Sequence, residues 1–360
     1  MKNSRIKIFI ILVIAVFVAT IIYQNYYKTN HYTAKVLDYY GFASAEKKNA
    51  IQDLFRQSSI IPDSSYLEDI FPPRNNKLQL VWDILTLVRE TQNKFTIRSG
   101  TKERWEVQPL EWMLQNKDRN LNNLKILGFV DAITPKQKQA DAICILGATN
   151  STMSDRIEYA NLLIDQGLKA KNIILLAGER YVTQDIDGQA TELSEVAKQF
   201  NLTDWRKVTE THLIQYLYNK SALSNKKLAV YVIDTPKRDL PRPTTQTTIL
   251  ELISWLRDHN EIQDIIFVSN QPYVKYQKAI IDLVFKEQAM SIKYDVVGSA
   301  VLEVDVQPIL EGLGSYIWAA SPGVLSDMNI NINNEAIKKI VKELYSTNQL
   351  IYQTLPQNFK

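Results

Sequence analysis

The stretch Ala142-Ile143-Cys144-Ile145-Leu146-Gly147-Ala148-Thr149-Asn150-Ser151 decides the fold. Five apolar residues rich in isoleucine end at a glycine, and polar cap-forming residues follow. The next stretch, ~153–167, carries apolar residues at helical spacing. This is the signature of a buried strand turning sharply into a helix. The same sentence is written four more times. Ile173 to Ala177, Leu228 to Ile233, Ile265 to Ser269 and Tyr294 to Val297 are short apolar runs with little in-out alternation. Helix-period stretches lie between them at ~190–200, ~208–219, ~244–258 and ~272–288. Strand alternating with helix predicts a doubly wound α/β domain with a mostly parallel five-stranded sheet. The long connection from the second run to the third holds two helices and reads as an insertion.

Working outward, the chain divides into 1–29, 30–139, 140–300 and 301–360. Residues ~30–60 have loose helical spacing and end in the breaker-rich Ile61-Pro62-Asp63-Ser64-Ser65. Leu78, Val81, Ile84, Leu85 and Val88 predict an amphipathic helix over ~76–92. A second helix is expected over ~104–116, with Trp105, Trp112 and Met113 packing on one side. Pro72-Pro73 and Asn116 to Asn123 read as connectors. Two further helices, Leu302 to Ala320 and Asn334 to Asn348, are expected to cover the sheet.

Ile8 to Ile22 is an unbroken run of apolar and small residues preceded by Lys2, Arg5 and Lys7 and followed by Tyr23, Tyr26 and Tyr27. Fifteen residues are fewer than the ~20 of a comfortable span, but the tyrosines extend the segment as an interfacial belt. No small-residue pair marks a cleavage site at its end. An uncleaved N-terminal transmembrane anchor is expected, with the N-terminus cytoplasmic and the main domain outside the cytoplasm.

Composition narrows the function classes. Lys+Arg 42 against Asp+Glu 39 gives +3, no broad basic field, and nucleic-acid binding is disfavoured. One cysteine, Cys144, excludes an intrachain disulfide and reads as a buried small hydrophobe. With three histidines it leaves no structural zinc set, and no metal site is expected. His212 and His259 do not follow strands and no Gly-x-Ser-x-Gly elbow is present, so a histidine-based nucleophilic triad is disfavoured.

In an open parallel sheet the ligand crevice lies beyond the carboxyl ends of the strands, so the loops there carry the site expectations. After the first strand stand Gly147 and Thr149, a Thr152/Asp155 pair with capping-box spacing, and Arg156, which with free helix-start N–H groups would hold an anion. After the second come Gly178, Glu179 and Arg180, then Asp185, Asp187, Gly188 and Glu192. Glu179 and Arg180 either pair with each other or contact a ligand; Glu179 and Glu192 are the candidate acid/base residues. After the third, Lys237, Arg238 and Arg242 precede the hydroxyl cluster opening with Thr244 and Thr245, a setting for phosphate or carboxylate. After the fourth, Asn270 or Gln271 is expected to cap a helix with Pro272 in its first position, and Tyr273 offers a ring face or hydroxyl.

In order and spacing, these loops resemble the SanA/YdcF/ElyC-type domain of unknown function, a bacterial envelope-associated, Rossmann-like family. The resemblance covers ~140–300. It is carried by Leu146-Gly147, by Arg156 followed by Ala160 and Gly167, and by Gly178. It continues through Thr191-Glu192, the threonine cluster and Ser269-Asn270. It implies that Arg156, Glu192 and Thr245 are landmark positions. Two departures stand out: Thr244-Thr245 replaces a frequent Asn-Thr, and Pro272-Tyr273 stands near a usual histidine. The resemblance implies a single N-terminal membrane segment and a role in envelope, peptidoglycan or lipid-carrier metabolism. S-adenosylmethionine has been suggested as a ligand of members, but an extracytoplasmic domain lacks ready access to it, and no cofactor is assigned.

The expected function is thus a membrane-anchored envelope protein whose crevice binds an anionic, phosphate-bearing cell-wall or lipid-linked small molecule. The alternatives are a transferase or hydrolase using a nucleotide-type cofactor, and a non-enzymatic envelope scaffold whose ~30–135 helices bind a partner.

Overall fold

The computed structural model describes residues 37–66, 77–96, 108–184, 186–301 and 305–327, with Glu335, Lys338 and Lys339. The N-terminal apolar run, Trp105 and nearly all of the expected Asn334 to Asn348 helix lie outside the described residues. Among those described, no helix is long and apolar enough to cross a membrane. The chain divides into two units, residues 1–127 with 321–360, and residues 128–320.

In the first unit, α1 (Ala45–Gln57) starts at Ser44, whose hydroxyl accepts from the Lys47 N–H, and buries Ala50, Ile51, Leu54 and Phe55. Apolar residues four apart make that single buried stripe. The expected amphipathic helix is α2 (Lys77–Thr91); Val81, Ile84, Leu85 and Val88 are buried, while Leu78 is exposed. Phe95 stands between Phe55 and Trp112, with ring centroids 6.1 and 6.2 Å away, so Trp112 is a packing residue. The connector expected at Asn116 to Asn123 is instead helical. After the short α3 (Glu111–Gln115), only Asn116 breaks the chain before α4 (Lys117–Ile126). The reason is that Asp53 on α1 accepts from Arg119 Nε at 2.8 Å and from Asn123 Nδ2 at 2.6 Å, while Leu124 is buried. Tertiary pairing overrides the loop bias of an asparagine-rich stretch.

The second unit is the predicted α/β domain. Strands β1 (Ala142–Leu146), β2 (Asn172–Gly178), β3 (Ala229–Thr235), β4 (Asp264–Asn270) and β5 (Lys293–Ser299) form one sheet in the order 3-2-1-4-5. All four pairings are parallel. One face, carrying Ile143, Ile145, Ile173 and Leu175, packs against α5 (Asn150–Asp165), α6 (Ala190–Gln199) and α7 (Glu210–Lys220). The other face, with Cys144, Ile174, Leu176 and Phe267, packs against α8 (Thr245–Leu256) and α9 (Val274–Glu287). Ala319 of α10 (Val306–Asp327) joins that second layer. Cys144 is fully buried, and burial pushes its thiol well above the ordinary range, consistent with a packing role.

Burial on both faces holds for the interior strands but not for β3. Val230 and Val232 are 38% and 40% exposed because β3 is the sheet edge; on that face α7 meets β3 at Asp234, which accepts from Thr211 Oγ1. The opposite edge is different: Ile133 pairs antiparallel with Gly298 of β5 through N–H to carbonyl bonds of 2.9 and 3.0 Å. The segment before β1 therefore shields part of the β5 edge.

Candidate functional site

In the order 3-2-1-4-5 the connections run one way from β1 through β2 to β3 and then return to β4. Hence β1 and β4 are the neighbours whose carboxyl ends diverge, the usual crevice of an open α/β sheet. Arg156 fills this point. It projects from α5, is 2% exposed, and spans the two strand ends. Its Nη1 donates to the carbonyls of Leu146 and Gly147, both at 2.7 Å. Its Nε and Nη2 donate to Asn270 Oδ1 at 3.0 and 2.8 Å. Two expected ligand-binding residues, Arg156 and Asn270, thus hold each other and fix a positive charge at the switch point.

The helix behind Arg156 begins earlier than the Thr152/Asp155 spacing suggested. Thr149 is extended and forms the cap, its carbonyl accepting from the Met153 N–H at 2.9 Å, and α5 starts at Asn150. Thr152 therefore lies inside the first turn, where its hydroxyl accepts from Thr149 Oγ1. The expected cap before α9 also moves. Strand β4 pairs as far as Asn270 with Ser299, and the Gln271 N–H donates to the Ser299 carbonyl. The sheet thus consumes both candidate caps; Tyr273 is the cap, and Pro272 lies before it rather than in the helix.

Beside the switch point lies a second, more buried constellation. Arg180, two residues after β2, makes a bidentate bond to Asp187 (2.8 and 3.0 Å), donates from Nε to Glu210 Oε2 (2.8 Å), and reaches the Ala148 carbonyl (2.9 Å). Asp187 is fully buried, and also accepts from the Thr183 N–H at 2.9 Å. Burial works against the Arg180 charge, but its bonds to Asp187 and Glu210 win and hold the guanidinium firmly protonated. Of the two alternatives for Glu179 and Arg180, mutual pairing is not what forms. Glu179 Oε2 accepts instead from the Lys237 N–H at 3.1 Å and pins the β3–α8 loop.

Glu210 is the residue that reading the strand ends missed. It is the first residue of α7, in the insertion between β2 and β3. Local pairing delivers it to the rim: Val182 N–H donates to the Val208 carbonyl, and Glu210 N–H to the Arg180 carbonyl. The cap of α7 fixes its direction, with His212 Nδ1 accepting from the Thr209 N–H at 3.1 Å. That bond assigns the His212 proton to Nε2, and burial lowers the ring's affinity for a second proton. Gly147 then matters for what it lacks: a Cβ there would stand 1.9 Å from Glu210 Oε1. Burial raises the Glu210 carboxyl above its ordinary range, even though Arg180 foremost, then Arg156 and Arg242, pull the other way. The sequence did carry one signal. A buried strand-end arginine needs carboxylate partners, and Glu210 opens a helix two residues after an apolar Val208.

The remaining expected residues are placed as follows. Arg242 is exposed on the loop before α8, and its charge reaches Glu210. Arg238 is 75% exposed and sits 3.6 Å from Glu251, engaged with α8. Gly178 faces Pro243, which a Cβ would meet at 2.7 Å, so that loop folds tightly over the end of β2. Glu192 caps α6 by accepting from the Gln189 N–H at 3.0 Å, and Thr244 caps α8 by accepting from the Thr247 N–H at 3.2 Å. Thr245 is the first residue of α8, and Asp185 lies outside the described residues. Gly147, Arg156, Arg180, Asn270 and the Arg242 charge therefore share one rim, while Glu192, Arg238 and Thr244 have local structural work. Among the described residues no cluster of three His, Cys, Asp or Glu is arranged to hold a metal ion.

No family model matches the chain, and no curated protein is similar to it. Thr244→Ala is expected to cost ~1 kcal/mol, the usual worth of a lost N-cap. Urea denaturation of the purified variant measures this, and a loss well under 0.5 kcal/mol would mean that the cap bond adds nothing.

Proposed function

We propose that this protein is a membrane-anchored envelope protein of the SanA/YdcF/ElyC type whose strand-end crevice binds an anionic, phosphate-bearing cell-wall or lipid-linked small molecule. The observation that carries the binding reading is the charge balance around Glu210. Three guanidiniums (Arg156, Arg180 and Arg242) act on a rim holding two carboxylates, Asp187 and Glu210. The charges acting on Glu210 are all cationic, and burial raises its carboxyl, which lessens the negative charge set against them. Arg156 fixes its charge at the position where parallel sheets receive ligands, and Arg242 is exposed on the loop before α8. The family reading is supported by Gly147, Gly178 and Asn270 at the carboxyl ends of adjacent strands, with Arg156 of α5 reaching Gly147 and Asn270. The anchor reading is supported by the apolar run Ile8 to Ile22 with its basic flank.

Calorimetric titration of the full chain in detergent with inorganic phosphate and with undecaprenyl phosphate tests the binding reading. Both are expected to bind, and Arg242→Ala is expected to weaken binding ~10–100-fold, the worth of one charge-assisted hydrogen bond. Unchanged affinity in that variant, or no binding by the wild type, would count against it. Alkaline carbonate washing of cell membranes tests the anchor; release of the chain would remove that part of the proposal.

A further inference from the structure

We propose that Glu210 is a general acid, delivering a proton to the leaving oxygen when a phosphomonoester held on the arginine rim is hydrolysed by water. This deepens the anion-binding reading and rests on it. The acid/base candidates expected from sequence have other roles: Glu179 accepts a main-chain N–H of the β3–α8 loop, and Glu192 caps α6. Glu210 is built differently. Its Oε2 accepts from Arg180 Nε at 2.8 Å, so a proton on this carboxyl belongs on Oε1. Oε1 lies tight against the Gly147 main chain, where a Cβ would stand only 1.9 Å away, and the Glu210 side chain keeps 14% exposure. Arg180 is itself immobilised by the bidentate Asp187 bond, so the carboxyl has a fixed direction.

The charged groups facing Glu210 come from three elements besides its own: Arg156 of α5, Arg180 after β2 and Arg242 before α8, with Asp187 behind Arg180. A phosphomonoester carries up to two negative charges; with Glu210 protonated, Arg156, Arg180 and Arg242 set against Asp187 leave two positive charges to meet them. In the step, water oxygen bonds to phosphorus as the ester P–O bond breaks. The departing oxygen takes the Oε1 proton, and the attacking water releases a proton that restores the acid. Water is the only co-reactant, and the products are an alcohol and inorganic phosphate. Burial raises the carboxyl, so its proton remains available nearer to neutrality than on an exposed glutamate.

The test compares two esters on the full chain in detergent. Phenyl phosphate has a poor leaving oxygen that needs the proton; p-nitrophenyl phosphate has one that does not. Wild type is expected to hydrolyse both. Glu210→Gln, which keeps the acceptor for Arg180, is expected to lose at least ~100-fold in kcat on phenyl phosphate, within the range for general acid catalysis. On p-nitrophenyl phosphate it is expected to lose less than 10-fold, with inorganic phosphate affinity within threefold of wild type by calorimetry. For wild type, kcat on phenyl phosphate is expected to fall as pH rises through an apparent pKa above the usual 4.5 of glutamate, a limb missing with p-nitrophenyl phosphate. That profile decides the matter if the variant fails to fold. Phosphate binding without turnover of either ester, equal losses on both, or no such limb overturns the assignment of Glu210 while leaving the binding reading intact. Absence of phosphate binding by wild type overturns the binding reading itself, and this one with it.

Discussion

Arg180→Met is expected to destabilise the protein by ~3–5 kcal/mol at pH 7, the usual cost of removing one partner from a buried charge cluster. The methionine fills similar volume, so the loss is electrostatic rather than a cavity. It strands Asp187, which is fully buried and receives two of the guanidinium's hydrogen bonds, and it strands Glu210, whose carboxyl burial already disfavours as an ion. The Ala148 carbonyl loses its donor as well. The pH dependence has a definite sign. Without Arg180 the Glu210 carboxyl, already raised by burial, binds its proton more readily in the folded than in the unfolded chain. Stability of the variant is then lost as pH rises through the raised folded pKa of Glu210 and recovered as pH falls. Urea denaturation of wild type and variant at pH 7 and pH 5 checks both statements. The gap is expected to be largest at pH 7 and to narrow at pH 5. A gap below ~1 kcal/mol, or one that widens on acidification, is incompatible with a buried, mutually dependent cluster.

That cluster also shows where reading the sequence reached its limit. The sheet was legible because isoleucine- and valine-rich runs of five to seven residues have no other way to bury both faces than between helices, and the helix-period stretches supplied those helices. Arg180 and Asn270 were legible as strand-end polar groups because polar residues stand where the apolar runs stop, and Arg156 as a cation early in the helix that follows β1. Glu210 was not, because it follows a helix cap inside an insertion. Only the Val182–Val208 and Arg180–Glu210 backbone bonds bring that insertion back to the rim. Pairing across nearly thirty residues leaves no periodic trace. The same holds for α4, where Asp53, distant in sequence, supplies partners that make an asparagine-rich stretch helical. In β3 the alternation was hidden by composition. Val230 and Val232 are as apolar as buried residues, and only their place at the sheet edge leaves them exposed.

Arg156→Lys separates the two roles that meet at the switch point. Lysine keeps the charge, but a single ammonium cannot reproduce a planar fork that reaches the Leu146 and Gly147 carbonyls and grips Asn270 Oδ1 through two nitrogens. At least two of these four bonds are lost. Bonds from a charged donor are worth ~1.5–3 kcal/mol each, so the expected destabilisation is ~3 kcal/mol or more. The damage is directional, since it releases the ends of β1 and β4 from each other rather than loosening the sheet as a whole. Amide hydrogen exchange is therefore expected to quicken at Gly147, whose N–H bonds the Leu176 carbonyl, and at Gln271, whose N–H bonds Ser299, before it changes in β2. Inorganic phosphate affinity is expected to fall with it, because the remaining charge no longer has a fixed position. Arg242→Ala gives the contrasting pattern of weaker phosphate binding at nearly unchanged stability, since Arg242 is exposed on a loop. If Arg156→Lys instead kept wild-type stability and lost only affinity, the guanidinium would be a ligand contact and not the clamp that joins the strand ends. The crevice would then owe its shape to the sheet alone.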